Sequence, residues 1–361
     1  MTTGSEVRSP ADAPADTPAV PANGSAAPAD ALFAPADALF APADAPAAAP
    51  LAELTMRPYQ DSDATSVAEL LNEREVSFGG DPYFTDTEIH DMTSSWVRTI
   101  DTDTRLVFAP DGVLVGMAMV APPEDGGSMG DTFGGVRLGW LGRGIGRALL
   151  SWQIERLGEL RSDRAPDTEW TVDVGANVRD ESAARLFERF GLTPVRYFFE
   201  MLLPIADLRP AAMPDGFRVV PYTGDLIESL YEADDEAFSE HWGHERRAFD
   251  RWRVSAIDSE LFRPEHTRIA LDGDEIAAYV LAYDDGIGSH YIGKVGTRRP
   301  WRRRGLAAAL MSQTIEAAAA DGKTLASLGV DSENATGALG VYERLGFSAR
   351  QRFVVSRRAL T

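Results

Sequence analysis

One order of local patterns runs through this chain twice, and that repetition narrows the available folds more than any other feature. In the first pass, Leu54–Tyr59 reads as a strand, and Asp61–Asp63 cap a helix through Val67, Leu70 and Leu71. Arg105–Phe108, an Asp-Gly turn at 111–112 and Val113–Val120 read as a hairpin. A strand over Thr132–Leu138 runs into a glycine-rich turn and a helix over Gly144–Leu157. The strand Glu169–Val174 and the helix Ser182–Phe190, closed by Gly191, complete the pass.

The second pass repeats the sequence of elements. Phe217–Tyr222 is a strand and Leu226–Phe238 a helix. Thr267–Leu271, an Asp-Gly turn at 272–273 and Glu275–Tyr283 form the hairpin, and His290–Gly296 the next strand. An arginine-rich turn leads into the helix Gly305–Ala320, followed by strand Thr324–Val330, helix Ala335–Leu345 and strand Phe347–Ser356. Strands and helices intermixed in this way belong to the α/β (α+β) class. We expect two units, 53–205 and 206–361, linked through the proline-containing Pro204–Asp215.

Residues 1–52 are of a different kind. Nine of the 22 prolines lie between Pro10 and Pro50, and Ala-Pro-Ala-Asp-Ala-Leu-Phe occurs at Ala27–Phe33 and again at Ala34–Phe40. Proline at this density blocks helix and sheet, so this stretch is expected to be a disordered tail. It has no basic region leading an apolar run, as a secretory signal would. No stretch reaches the ~20 apolar residues of a membrane span.

Composition then excludes several chemistries. The chain has 361 residues, a formal net charge of −21 and no cysteine. Disulfide frameworks, thiolate metal centres and cysteine nucleophiles are therefore absent from this sequence. So acidic a surface is ill suited to nucleic acid. His241 and His244 lack further ligands for a metal.

Against that acidic background, five arginines (298, 299, 302, 303 and 304) crowd one turn between a strand and a helix. Arg302, Gly305 and Ala307 have the spacing R-x-x-G-x-A. Small residues admit a ligand close to the backbone, and amides at a helix N-terminus carry partial positive charge. The combination is an anion cradle, suited to a pyrophosphate. A plainer alternative is an arginine-rich helix start paired with surface acids.

A second segment joins it: Leu328–Asn334, then Val341-Tyr-Glu-Arg-Leu-Gly-Phe347. Together the two segments resemble the GNAT acetyltransferase family over about 217–358. The resemblance implies two GNAT-like domains, each a central, mostly antiparallel mixed sheet flanked by helices. It implies that acetyl-CoA is bound through Val295, Gly296, Thr297, Arg302, Arg303, Arg304, Gly305, Leu306 and Ala307, with Asn334 on the pantetheine arm or capping the next helix. The first copy resembles the family less completely. It keeps Gly142, Gly144 and Gly146, with Arg143 among them, and Asn177, but has Leu141 at the family's Arg/Gln position and Phe187 where the second copy has Tyr342. It either binds acetyl-CoA through Arg143, Gly144 and Gly146 or serves as a structural partner.

Without cysteine, direct attack on the thioester in a ternary complex is the economical route. The strand Ile292–Thr297 is expected to splay from its neighbour and offer an amide, most naturally that of Val295, to the thioester carbonyl. Tyr342 is the candidate general acid, since a phenol is protonated at neutral pH. It also shares a helical face with Leu339 and Leu345, as a core aromatic would. Glu240 and His241, beside Trp242, are candidate bases, and His290 is another. The expected partner is a small-molecule amine, with no metal, nucleic acid or membrane, in a cytoplasmic monomer or homodimer. A tandem member acting on a cysteinyl amine is a more specific alternative, and a non-catalytic acyl-CoA sensor is the alternative outside enzymology.

Overall fold

The computed structural model describes residues 53–285, 288–334 and 337–360; the tail expected over 1–52 lies outside the described residues. The first pass comprises β1 (Thr55–Arg57), α1 (Ala64–Ser77), α2 (Asp86–Trp96), a four-residue α3 (Ile100–Asp103) and the hairpin β2 (Thr104–Phe108) and β3 (Leu114–Ala121). It continues through β4 (Met129–Val136), α4 (Ile145–Arg164), β5 (Trp170–Asn177), α5 (Glu181–Arg189) and β6 (Thr193–Pro204). The second comprises β7 (Arg218–Pro221), α6 (Ile227–Phe238), α7 (Phe249–Ala256), β8 (Arg268–Asp272) and β9 (Glu275–Asp284). It ends with β10 (His290–Thr297), α8 (Leu306–Ala320), β11 (Leu325–Asp331), α9 (Ala338–Leu345) and β12 (Ser348–Leu360).

Among the described residues every strand joins one twelve-stranded mixed sheet, in the order β1-β2-β3-β4-β5-β12-β6-β11-β10-β9-β8-β7. The centre of that order is exchanged between the halves. β6 ends the first pass yet pairs with β11 of the second, from Leu325↔Pro204 to Asp331↔Phe198. β12 ends the second pass yet pairs with β5 of the first, from Phe353↔Asn177 to Leu360↔Trp170. The two exchanged strands also pair with each other.

Each exchanged strand carries an arginine that clamps a buried aspartate of its host. Arg357 on β12 grips Asp173 on β5 through two contacts of 2.6 Å. Arg196 on β6 grips Asp331 on β11 at 3.0 and 2.8 Å. Asp173 and Asp331 are 4% and 3% exposed, so each needs such a fork to offset its lost hydration.

Helices cover both faces. Residues of β9 alternate between two apolar layers: Ala278 and Val280 pack with Leu306 and Leu310 of α8, while Tyr279 and Leu281 pack with Leu230 of α6 and Trp252 of α7. α1 buries Ala64, Val67, Ala68, Leu70 and Leu71, the one-sided spacing of an amphipathic helix. α2 and α7 are absent from the sequence reading. α2 nonetheless has a local start signal, since the side chain and amide of Thr85 pair reciprocally with those of Glu88 in a capping box.

Candidate active site

The central strand of the second half opens a wedge in the sheet. β10 pairs in parallel with β11 only at His290↔Ala326, Tyr291↔Ser327 and Ile292↔Leu328. On its other side it stays paired with β9 to Thr297↔Ala278, with a register shift between Ile292 and Lys294. Gly293–Thr297 therefore diverge from β11, matching the expected splay. The Arg298 amide donates to Ala277 O at 3.0 Å. By the alternation of an antiparallel ladder, Gly296 and Lys294 face β9, and Val295 turns its amide into the wedge. Gly293 and Gly296 also make room for two rings, because a Cβ at either would lie 2.4 or 2.3 Å from Tyr283 or Tyr279.

Beyond the wedge, a 3-10 turn over Arg299–Trp301 delivers the chain to α8. Gly305, at φ +87°, is the residue before the helix, and Arg303, at φ +62°, is the one non-glycine residue with positive φ among those described. The first amides of α8, from Leu306 and Ala307 onward, have no intrahelical acceptor. A Cβ added at Gly305 would meet nothing within 4 Å, so the space above this turn is open. Leu306 adds only its backbone there, because its side chain is in the core.

The five arginines divide into two sets. Arg298 pairs with Glu236, and Arg299 and Arg302 both pair with Glu240. Arg302 also donates to Thr297 O at 3.1 Å and Ala237 O at 3.2 Å, which ties the turn to the end of α6. Arg303 and Arg304 are exposed, and no carboxylate among the described residues pairs with either. These two side chains and the helix amides form a cradle that fits a pyrophosphate.

Tyr342 lies on α9, 8% exposed, with its ring 6.2 Å from Phe347. Its phenol is pushed up to about 12, chiefly by burial and then by Tyr291, so it stays protonated at neutral pH. Asn334 sits in the turn after β11, its backbone N–H donating to Asp331 O at 3.2 Å.

The candidate bases lie elsewhere. Glu240 is locked in its arginine pairs, and the Arg302 hydrogen bond holds its carboxyl below the usual range. His241 places Nδ1 3.1 Å from Trp242 O and its ring against Phe238. His290 is buried with its ring 5.3 Å from His266, and burial holds it down to about 3, so it is neutral. None of the three lines the cavity that continues from the wedge.

That cavity, of about 610 Å³, is walled by Tyr291, Gly293 and Lys294 of β10, Gly329 of β11 and Glu200 of β6. The first half adds Tyr83 ahead of α2 and Glu88 and Asp91 on it, and the second half adds Val254 and Ser255 of α7 and Ser259 after it. α2 is seated by packing on α7 and by the Ser259 hydroxyl donating to Asp91. Lys294 is held at 2.5 Å by buried Asp234, which also takes the Trp252 indole at 2.7 Å. Sequence spacing carries no signal for this cavity, because its walls come from both passes.

The first half repeats the wedge. β4 pairs with β5 only from Met129↔Thr171 to Thr132↔Val174. A 3-10 turn at Leu138–Trp140 leads to α4, with Gly142 and Gly144 at φ +76° and +89°. The cleft there is about 1080 Å³, lined by Gly144, Gly146, Asn177 and Phe187. Arg143 lies over the Trp140 ring at 4.3 Å, and the Asn177 amide donates to Gln351 at 2.6 Å. Among the described residues, no group of three His, Cys, Asp or Glu is placed to hold a metal, and no helix is long and apolar enough to cross a membrane.

Comparison with known proteins places this geometry. The model of the acetyltransferase (GNAT) family matches residues 227–347. The mycothiol acetyltransferase of Kineococcus radiotolerans is 31% identical over 251 residues, covering 67% of this chain and 77% of that protein. That of Kocuria rhizophila is 25% identical, covering 81% and 96%. The crystal structure of a GCN5-related N-acetyltransferase from Sphaerobacter thermophilus aligns with a TM-score of 0.72 and 27% identity, over 86% of this chain and 97% of that one. A tandem GNAT protein from the clavulanic acid biosynthesis pathway shares the fold, with a TM-score of 0.64, 18% identity and coverage of 86% and 99%. The chain belongs to the GNAT family, as a tandem member and an acetyl-CoA-dependent N-acetyltransferase.

Proposed function

We propose that the second half, read as 206–361, transfers the acetyl group of acetyl-CoA directly to a primary amine of a small molecule. The observation that carries this reading is the coincidence of three parts in one half: the wedge at Ile292/Leu328, the Arg303–Ala307 cradle and the protonated hydroxyl of Tyr342. In this reading the Arg303 and Arg304 side chains and the Gly305, Leu306 and Ala307 amides hold the pyrophosphate. The wedge-facing edge of Val295–Thr297 aligns the pantetheine, with Asn334 beside it. The Val295 amide donates to the thioester oxygen as charge develops on it. The amine enters from the cavity side as a free base, its nitrogen bonds to the thioester carbon and the C–S bond breaks; Tyr342 gives its proton to the departing thiolate and recovers one from the new amide nitrogen. Arg302 holds the turn rather than the ligand, and Glu240 serves Arg302 in the same way. The first half, read as 53–205, lends α2 to the cavity and has Phe187 in place of the acid.

The test is release of free thiol from acetyl-CoA across a panel of amines, in a protein whose own sequence contributes no thiol background. Acceptor-dependent release supports the reading. Tight acetyl-CoA binding without release for any amine overturns it in favour of a sensor. A second reading rests on the named relatives: a cysteinyl amine of the mycothiol precursor as acceptor. Including that amine in the panel decides it.

A further inference from the structure

The acceptor-side cavity is lined by buried carboxyl groups that no Lys or Arg among the described residues pairs with. Glu200 lies on β6, in register with Gly329 and so next to the strand that carries one edge of the wedge. Its Oε2 is buried with no hydrogen-bond partner among the described residues. Arg350 is in electrostatic range of it but is committed to Asp81 at 3.1 Å. Glu88 and Asp91 sit three residues apart on α2, hence on one face of that helix. Their partners are the Thr85 amide and the Ser259 hydroxyl, neither of them a cation. Among the described residues, no Lys or Arg forms an ion pair with Glu88, Asp91 or Glu200. Lys294, the cation on the same wall, is spent on Asp234.

We infer that the acceptor is a small molecule with at least two amino groups, one presented to the wedge past Glu200 and another held as an ammonium by Glu88 and Asp91. This deepens the proposed transfer reaction and rests on it. A single ammonium serves one wall and leaves the buried carboxyls of the other without a cation, so that Glu88 stays largely in its neutral form. A second ammonium, remote from the reacting nitrogen, supplies the missing partner. The carboxyls behave accordingly. Burial holds Glu88 up to about 8, with Asp285 and Asp91 adding to it, and burial also raises Asp91 and Glu200. A bound cation would favour the charged form of each. The acceptor class therefore differs from an amine borne on an otherwise neutral polyol.

The experiment compares 1,4-diaminobutane and spermidine with 4-amino-1-butanol, a monoamine of matched length, on the full-length protein. The expected result is kcat/KM at least about tenfold higher for the multiply charged acceptors, shrinking at about 0.5 M salt. Glu88→Gln and Glu200→Gln should each raise the KM for the diamine by about fivefold or more and narrow that ratio, with the acetyl-CoA KM unmoved. Equal or better use of the monoamine overturns the inference, as does a preference that survives both substitutions. Calorimetric titration of the same compounds into CoA-saturated protein is the second readout. Tighter diamine binding that Glu88→Gln weakens upholds the cation site even without turnover, in which case the transfer reading has failed and this one has not. Indistinguishable binding of diamine and monoamine overturns it.

Discussion

The two halves build the same backbone device and equip it differently. In each, a parallel strand pair parts after a few residues, a 3-10 turn follows, and a glycine in the left-handed region launches a helix. In the first half the position two residues earlier in the turn is Gly142, which adopts positive φ without cost. In the second it is Arg303, which adopts the same region at about 1 kcal/mol. The first half presents Phe187 to its cleft, and the second has Tyr342 on the matching helix. The lesson is that the wedge and the helix start are scaffold, and side chains placed on them decide what each cleft does.

Four experiments bear on that contrast, the largest effect first. Asp331→Ala and Asp173→Ala each remove the buried acceptor of one exchange clamp and leave an arginine behind. Each should cost about 3 kcal/mol in chemical denaturation. A loss at one site alone would show that the halves do not hold each other symmetrically. Tyr342→Phe should lower kcat about 100-fold, or about 2.7 kcal/mol, with the acetyl-CoA KM little changed. Wild-type turnover in that variant would erase the distinction from Phe187.

A smaller effect is expected in the cradle. Replacing Arg303 by Gly makes the second turn resemble the first. It should stabilise the fold by up to about 1 kcal/mol in thermal unfolding and weaken acetyl-CoA several-fold, in a salt-sensitive manner. Unchanged affinity would make the arginines surface decoration.

The smallest effect concerns pH. Glu88 is held up to about 8 and Asp131 of the first half up to about 7, both chiefly by burial. Where the unfolded chain has released these protons and the folded chain still holds them, stability falls as pH rises. His290, held down to about 3 by burial, acts in the opposite sense but is finished near its ordinary 6.5. From 6.5 to 8, Tm should therefore fall by a small amount, and by less in Glu88→Gln and in Asp131→Asn. A flat profile in the unsubstituted protein would count against both.

Much of the fold was legible because its signals are local. Asp-Gly turns at 111–112 and 272–273 mark both hairpins, and glycines at 191 and 346 stop both terminal helices. The wedge at β10 was expected and the matching one at β4 was not, although the glycine-rich and arginine-rich turns that follow them are both plain in the sequence. The exchange of β6 and β12 left no such trace, since register between distant strands is set by partners and not by the strand's own residues. α2 was announced by Thr85-Asp-Thr-Glu88 and could have been read. Its place in the other half's cavity could not. The left-handed conformation of Arg303 was equally hidden, because nothing in arginine favours it. Of the arginine cluster, the sequence shows the charge but not its division between ion pairs and open cradle.

The exchanged strands have a consequence for how the chain is made. β5 receives its neighbour from Phe353–Leu360, the closing strand of the second repeat. A ribosome releasing residues in order exposes the first repeat long before that strand exists. Until synthesis reaches Leu360, β5 has an open edge that β6 is the nearest segment able to cover. The finished molecule requires β6 to be given to β11 and β12 to take its place, so the sheet of the first repeat is completed only after the second repeat has been made.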